Sequence, residues 1–352
     1  MESREFSSDI IFQILTRCSL ETLGKCRLVC KEWNRITYES NFMRLHCEKT
    51  RTAVGYFIQS MSNNKHLSEI VSMDESNPIS SLSLDFLPNP VKIEASSRQG
   101  LLYCVSQEPH SHGNHRIPQY LVCKPSTKQW QGIPKPKTQY FTQGSALMVL
   151  RLDPLVYKIV RFVKPKFWSK KCYDYRCEIF DSKIWAWKQS KEVGLQCALL
   201  GHEPAVLASG AIHWLTTDDH VFAFDPEEER WSMFPLPRPI HEKKLVEYKG
   251  KLALINMTRD KNMELWVMKD YGNRVWKKRT MSIEALRREE PHVSPEAFYN
   301  ADIALMKTYD QVIFYKFQNH SSNVVKLKKN GHPCQVFTFQ SDFQPSDMIM
   351  GY

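Results

Sequence analysis

Four segments of this chain repeat one pattern. Tyr120–Trp130 reads YLVCKPSTKQW, Cys177–Trp187 reads CEIFDSKIWAW, Val221–Trp231 reads VFAFDPEEERW, and Leu265–Trp276 reads LWVMKDYGNRVW. In each, an apolar run ends at Lys124, Asp181, Asp225 or Asp270, and a tryptophan follows six positions later. Trp130, Trp187, Trp231 and Trp276 therefore recur at intervals of 57, 44 and 45 residues. Pro, Ser, Gly and Asn between the two marks make a turn, so each copy predicts a hairpin with the tryptophan opening its second strand. Upstream of each lies another strand: Gly100–Val105, Tyr157–Phe162, Gly210–Leu215 and Gly250–Ile255. Three or four strands per interval of that length is the size of a propeller blade. One such sheet cannot bury both faces, so the blades must stack around an axis. The flanks predict further strand pairs, Val54–Gln59 with Leu82–Phe86 and Val312–Phe317 with Val336–Phe339. About six blades are expected over residues 53–345. The four tryptophans are expected to be structural and equivalent.

The first fifty residues have a different texture. Ile10, Ile11, Ile14 and Leu15, then Leu20, Leu23 and Cys26, then Trp33 and Ile36 fall at helical spacing. Breaks at Ser19 and around Cys30 predict three short helices. Ser7 or Ser8 is expected to cap the first and Ser19 the second. A unit this small buries too little surface to stand comfortably alone, so it should lean on its own chain or on a partner.

Val29-Cys30-Lys31-x-Trp33, within the run Leu15–Trp33, resembles the F-box, and the tail Asn41–His46 resembles the segment that follows one. The resemblance spans roughly residues 5–47, and the F-box domain is assigned to 1–48. It implies docking on a Skp-type adaptor and, through it, on a cullin ubiquitin ligase. The first helix is expected to present Phe6, Ile10, Ile11, Ile14 and Leu15. Leu20, Leu23, Val29, Cys30 and Trp33 either touch the adaptor or hold the helices in place, two roles that the sequence leaves undivided. Two departures stand out: Phe6-Ser7 and Cys18-Ser19 occupy positions where the family commonly has Leu-Pro. The repeats resemble the F-box-associated β-propeller of plant F-box proteins, akin to kelch propellers but without their double glycine. Gly100-Leu101-Leu102, Lys124–Trp130, Gly210–Trp214 and Leu265–Tyr271 carry that likeness, which is weak over the last seventy residues. Together they imply a small helical domain followed by an all-β propeller, and a non-catalytic subunit that holds a protein to be ubiquitinated.

Composition narrows the alternatives. No run approaches the roughly 18 apolar residues of a membrane span, and Met1–Glu5 opens no signal-peptide core. Ten cysteines without a C-x-x-C pair read as free thiols, so the cytosol or nucleus is expected. Net charge is +10, of which residues 51–352 hold +9 (40 Lys and Arg against 31 Asp and Glu). The basic runs at Lys164–Lys171, Lys277–Arg279 and Lys326–Lys329 are weak, which argues for solvated faces or acidic partners over nucleic acid. No two glycines stand closer than seven residues, so no dinucleotide or phosphate loop exists. His110, His112 and His115 have metal-like spacing, as do Cys172 and Cys177, but a turn-rich loop and a strand start explain them better. Glu227–Glu229 belong to a blade turn. No cofactor and no metal is expected. The rival readings are a propeller-fold enzyme and an RNA-binding propeller, each with a helical extension.

Overall fold

The computed structural model describes residues 7–73, 82–107, 110–112, 115–138, 141–164, 173–190, 192–238, 242–258, 262–328 and 331–348. Four helices come first, not three: α1 (Ser8–Leu15), α2 (Leu20–Val29), α3 (Lys31–Ile36) and α4 (Ser40–Thr50). Ser7 caps α1 by accepting from Ile10 N, Ser19 caps α2 by accepting from Thr22 N at 3.2 Å, and the Cys30 thiol caps α3 by accepting from Trp33 N. The tail that follows the motif is itself α4, ended by Arg51 in a left-handed conformation. Leu15, Leu23, Ile36 and Phe42 form the helical core. Four side chains are a small core, and the helices lean on the propeller.

Among the described residues the strands fill six blade sheets and a separate two-stranded ribbon. The ring opens with β1 (Ala53–Ser62) and β2 (Lys65–Val71). Blade 2 holds β3 (Val91–Ser96), β4 (Leu102–Ser106), the ribbon β5 (His110–His112) with β6 (His115–Ile117), β7 (Tyr120–Lys124) and β8 (Gln129–Ile133). Blade 3 holds β9 (Phe141–Leu152), β10 (Leu155–Lys164), β11 (Tyr173–Asp181) and β12 (Ala186–Gln189), with β13 (Val193–Leu195) extending the pairing of β11. Blade 4 is β14 (Val206–Ala208), β15 (Ala211–Leu215), β16 (His220–Asp225) and β17 (Arg230–Pro235). Blade 5 is β18 (Lys243–Tyr248), β19 (Lys251–Met257), β20 (Asn262–Asp270) and β21 (Val275–Ser282). After α5 (Glu284–Glu289), blade 6 is β22 (Ser294–Phe298), β23 (Ile303–Lys307), β24 (Gln311–Lys316) and β25 (Ser321–Lys326). The last strand, β26 (His332–Ser341), returns to blade 1 and pairs along β1 from Ala53↔Ser341 to Met61↔His332.

That return corrects both predicted flanking pairs. Val336–Phe339 pairs with β1, not with Val312–Phe317, which belongs to blade 6 between β23 and β25. Leu82–Phe86 forms turns rather than a strand. A ring of blades has to be closed, and joining the two ends of the propeller in one sheet closes it with antiparallel backbone bonds.

The repeat has a concrete cause. In blades 3, 4 and 5 the aspartate that opens the hairpin accepts backbone N–H groups of its own turn: Asp181 from Lys183, Asp225 from Glu227 and Glu228, and Asp270 from Asn273. Two residues before each tryptophan stands a residue with positive φ: Lys128, Trp185, Glu229 and Arg274, at 53° to 55°. Gly100, Gly210 and Gly250 make the corresponding turn between first and second strands at φ near +78° in blades 2, 4 and 5. The tryptophans face Cys123, Phe180, Phe224 and Met268 across the outermost strand pair of their blades. They share a position but not an environment. Trp187 is 5% exposed, with Nε1 donating to Pro134 O at 2.6 Å, whereas Trp231 is 43% exposed. Outermost strands meet solvent, and packing between neighbouring blades decides how much of each ring is covered.

Candidate functional site

Chain direction alternates in every blade, so two kinds of hairpin share one face of the ring: those joining first to second strands and those joining third to fourth. The helices sit on this near face. Ala301 N donates to Tyr38 O at 3.2 Å and Asn300 Nδ2 to Ser40 Oγ at 3.0 Å. Tyr38, buried, lies over Gly250, where a Cβ would stand 2.9 Å from its hydroxyl. The Arg98 guanidinium lies beside the same hydroxyl. Burial, and secondarily Glu247, pushes the Tyr38 phenol up. The helical unit thus meets the propeller on the axis, through three blade turns as well as through the short link at 51–52.

The axis is closed at both ends. On the near side Arg98 Nη2 of blade 2 reaches Glu247 Oε2 of blade 5 and Leu207 O of blade 4, each at 3.1 Å. On the far side Gln335 Nε2 of blade 1 donates to His202 O, on the connection into blade 4, at 3.0 Å. Beside it Lys244 bridges Glu203 (2.8 Å) and Glu296, and Lys307 completes the cluster on Glu296 at 2.8 Å. Burial alone would raise the Glu296 carboxyl, but Lys244 and Lys307 outweigh it and hold it low. The cavity left between the two closures is about 100 Å³, and its charges are matched. Paired charges of blades 2, 4, 5 and 6 line it.

The ten residues expected at the adaptor surface sort by exposure. Leu15 and Leu23 point into the helical core, and Ile11 and Trp33 pack against it half-buried. Leu20 is half-buried. Ile10 (48% exposed), Ile14 (54%), Val29 (63%) and the Cys30 thiol face outward. Phe6 lies outside the described residues. Leu28, 86% exposed beside Val29, was not among the expected residues. Its signal is the apolar pair Leu28-Val29 at the end of α2, where Leu23 and Cys26 already supply the inward face. Ser8 Oγ donates to Glu32 Oε1 at 3.4 Å, which brings the start of α1 beside the α2–α3 junction. Exposed apolar groups on α1 and on the end of α2 therefore flank one side of the unit, while Asn34, Tyr38 and Ser40 serve the propeller.

The remaining candidates are structural or lie outside the description. The β5–β6 ribbon pairs His112 with His115 along the backbone, but the side chains of His110, His112 and His115, and all of Cys172, are outside the described residues. Cys177 is fully buried, and burial pushes its thiol up. Glu229 binds Lys188 and Ser190, tying the blade 4 turn to blade 3. Among the described residues no group of three metal-type ligands occurs, and no helix is long and apolar enough to cross a membrane. Lys124, the one lysine at an aspartate position of the repeat, is 3% exposed and donates to Asp342 Oδ1 and Gln344 O, each at 2.6 Å. It latches the chain's end onto blade 2.

The family model of the F-box associated beta propeller domain matches residues 45–341, and an F-box-like model matches residues 8–49. The chain belongs to the F-box associated β-propeller family. F-box protein At5g49610 of Arabidopsis thaliana is 26% identical over 333 residues, covering 88% of each chain. F-box protein At5g41720 of the same plant is 36% identical over 159 residues, covering 44% of this chain and 83% of its own. Among solved structures, apo AztD from Citrobacter koseri aligns with 84% of this chain and 100% of its own at TM-score 0.42 and 8% identity. A likeness that loose carries no argument. The two family matches meet at residues 45–49, inside α4. An F-box followed by a propeller of this family fits, in general, a substrate adaptor of a Skp–cullin ligase.

Proposed function

We propose that this F-box propeller protein is a non-catalytic adaptor, which docks through α1 and the end of α2 on a Skp-type protein and holds a substrate protein on its propeller. One observation carries the reading. Ile10, Ile14, Leu28 and Val29 are exposed on a helical unit whose other side is already spent on the propeller. Apolar groups clustered on a surface call for a partner. Docking that face would join the propeller to a cullin, and catalysis would then belong to the assembled ligase. Holding a substrate lysine near the charged conjugating enzyme raises its effective concentration. The cytosol or nucleus is the compartment we propose, because nine described cysteines are free thiols. The test is co-precipitation of a Skp-type adaptor with the full chain and with a chain lacking residues 1–48. The full chain should retain it and the truncation should lose it; equal retention would refute the assignment.

A further inference from the structure

The outermost strand of a blade has one bare edge, whose backbone N–H and C=O groups are a template for another strand unless something protects them. Most edges of this ring are protected. The Gln107 side chain takes both backbone groups of His66 on β2, at 2.6 and 2.8 Å. The chain's tail is held against β8 by two bonds between Gln129 and Ser346. β12 is four residues long and carries Lys188. β17 ends in Pro235, and β21 carries Lys277, Lys278 and Arg279 in a row. β25 has none of these devices. It reads Ser-Ser-Asn-Val-Val-Lys, every residue but Val325 is exposed, and its one charge stands at the last position.

The ladder fixes which groups of β25 point outward. Leu327 N donates to Asp310 O at 3.0 Å, one step beyond the Gln311↔Lys326 pair. Hydrogen-bonded pairs alternate along an antiparallel ladder, so Val325, Asn323 and Ser321 also spend their backbone groups on β24. Ser322, Val324 and Lys326 aim theirs away from the blade, and among the described residues nothing bonds to them. Asn323 Nδ2 donates to Met73 O at 2.8 Å, which fixes the strand against the segment after β2. The outward set is self-complementary. Turned antiparallel on itself about Val324, the strand sets Val324 opposite its own copy and Ser322 opposite Lys326 at either end. Each of these pairs can exchange two backbone bonds. The valines, 45% exposed in the single chain, cover one another, and no like charges stand opposite.

We propose that β25 is a dimerisation strand, through which two copies of this chain join edge to edge, blade 6 to blade 6, in one continuous sheet. A two-fold contact of this kind is closed, so it yields a dimer and not a fibre. A strand of another protein would find the same backbone groups, but a second copy already presents the matching residues exposed and extended. Strand pairing alone is a small contact for a stable dimer, and each chain carries a net charge of +10. Association should therefore be reversible, and salt should strengthen it by screening the mutual repulsion. Dimerisation uses no residue of the adaptor face.

Sedimentation equilibrium of the full chain, over a concentration series at low and at physiological salt, tests this. The wild-type chain should move from monomer toward dimer as concentration rises, and further at the higher salt. Val324→Lys sets two ammonium groups opposite each other and should weaken association at least tenfold, and Val324→Glu should do the same with two carboxylates. Mixed in equal amounts, the two variants should pair again, because opposite charges then meet at the dyad. Val324→Pro removes a donor that blade 6 does not use and should also leave a monomer. Ser232→Lys, on the edge of β17, should leave the dimer intact. Thermal melts of the dilute proteins should match, because each substituted side chain is exposed. A wild-type chain that stays monomeric throughout, or a mixture of the two charge variants that does not pair, overturns the proposal. A monomeric wild-type chain that binds a labelled Ser-Ser-Asn-Val-Val-Lys peptide, with loss in Val324→Pro, also overturns it and gives the edge to a strand of another protein.

Discussion

Arg98 and Glu247 lie on opposite blades and meet over the axis of the ring, Nη2 to Oε2 at 3.1 Å. Blade 2 and blade 5 are thereby tied at the point where Tyr38 brings in the helices. Arg98→Met should cost about 1–3 kcal/mol, the usual penalty for leaving a largely buried polar partner unsatisfied. A double-mutant cycle with Glu247→Gln, followed by urea unfolding, should show coupling between the two. Strict additivity would mean that the pair contributes nothing as a pair.

At the adaptor face, Ile14→Asp should weaken Skp-type binding at least tenfold, about 1.4 kcal/mol, by removing apolar burial and forcing desolvation of a carboxylate. Because Ile14 is 54% exposed, the melt of the free protein should not move. Calorimetric titration beside a thermal scan checks both halves. Unchanged affinity would place the adaptor elsewhere.

The tryptophan series should be graded rather than uniform. Trp187→Ala should cost about 3–5 kcal/mol, as truncation in a packed core does. Trp231→Ala, at 43% exposure, should cost about 1 kcal/mol. Equal losses at the two sites, measured by chemical denaturation, would contradict the burial difference between them.

His213 gives the protein an acid limit. Burial holds its imidazole at about 4 against 6.5 for a free side chain, and the neutral ring is bonded on both nitrogens, Nδ1 to Val206 O and Nε2 to the Tyr271 hydroxyl. A lowered histidine pKa means that the unfolded chain binds the extra proton first. Stability from this group is therefore intact above pH 6.5 and falls as pH drops toward 4. At pH 5 the loss should be about 2 kcal/mol. His213→Gln, though less stable at pH 7, should show a smaller drop between pH 7 and pH 5; an identical drop would clear His213.

The Lys124 latch can be tested by subtraction. Truncation after Ser341 should destabilise the chain by leaving a buried ammonium without Asp342 and Gln344. The same truncation in a Lys124→Met background should cost less by the ammonium's share, the rest belonging to Met348, Phe343 and the Gln129–Ser346 bonds. Equal costs in both backgrounds would show that Lys124 has no part in holding the tail.

Much of the ring was legible because a hairpin turn is local chemistry. Asp225, its turn and Trp231 lie within seven residues, and blades 2 to 5 repeat the spacing. Ring closure was not legible. The pairing of Ala53 with Ser341 spans nearly the whole chain, and β-branched runs state that they are strands without stating whose neighbours they are. The same limit divides the adaptor residues. Periodicity groups Ile10, Ile14 and Leu15 on one helix, but only the fold shows that Leu15 turns inward while Ile10 and Ile14 do not. In sequence Lys124 is one more turn-opening residue, because its partners lie more than two hundred positions away.

One consequence of the closing blade concerns synthesis. β1 leaves α4 almost at once, yet its inner neighbour β26 leaves the ribosome after every other strand of the ring. Until residue 341 emerges, a helical unit and five blades wait as an open arc, with one edge of β1 bare. A stop before His332 would therefore not trim the protein. It would leave an unclosed spiral in which the propeller's first and last blades never meet.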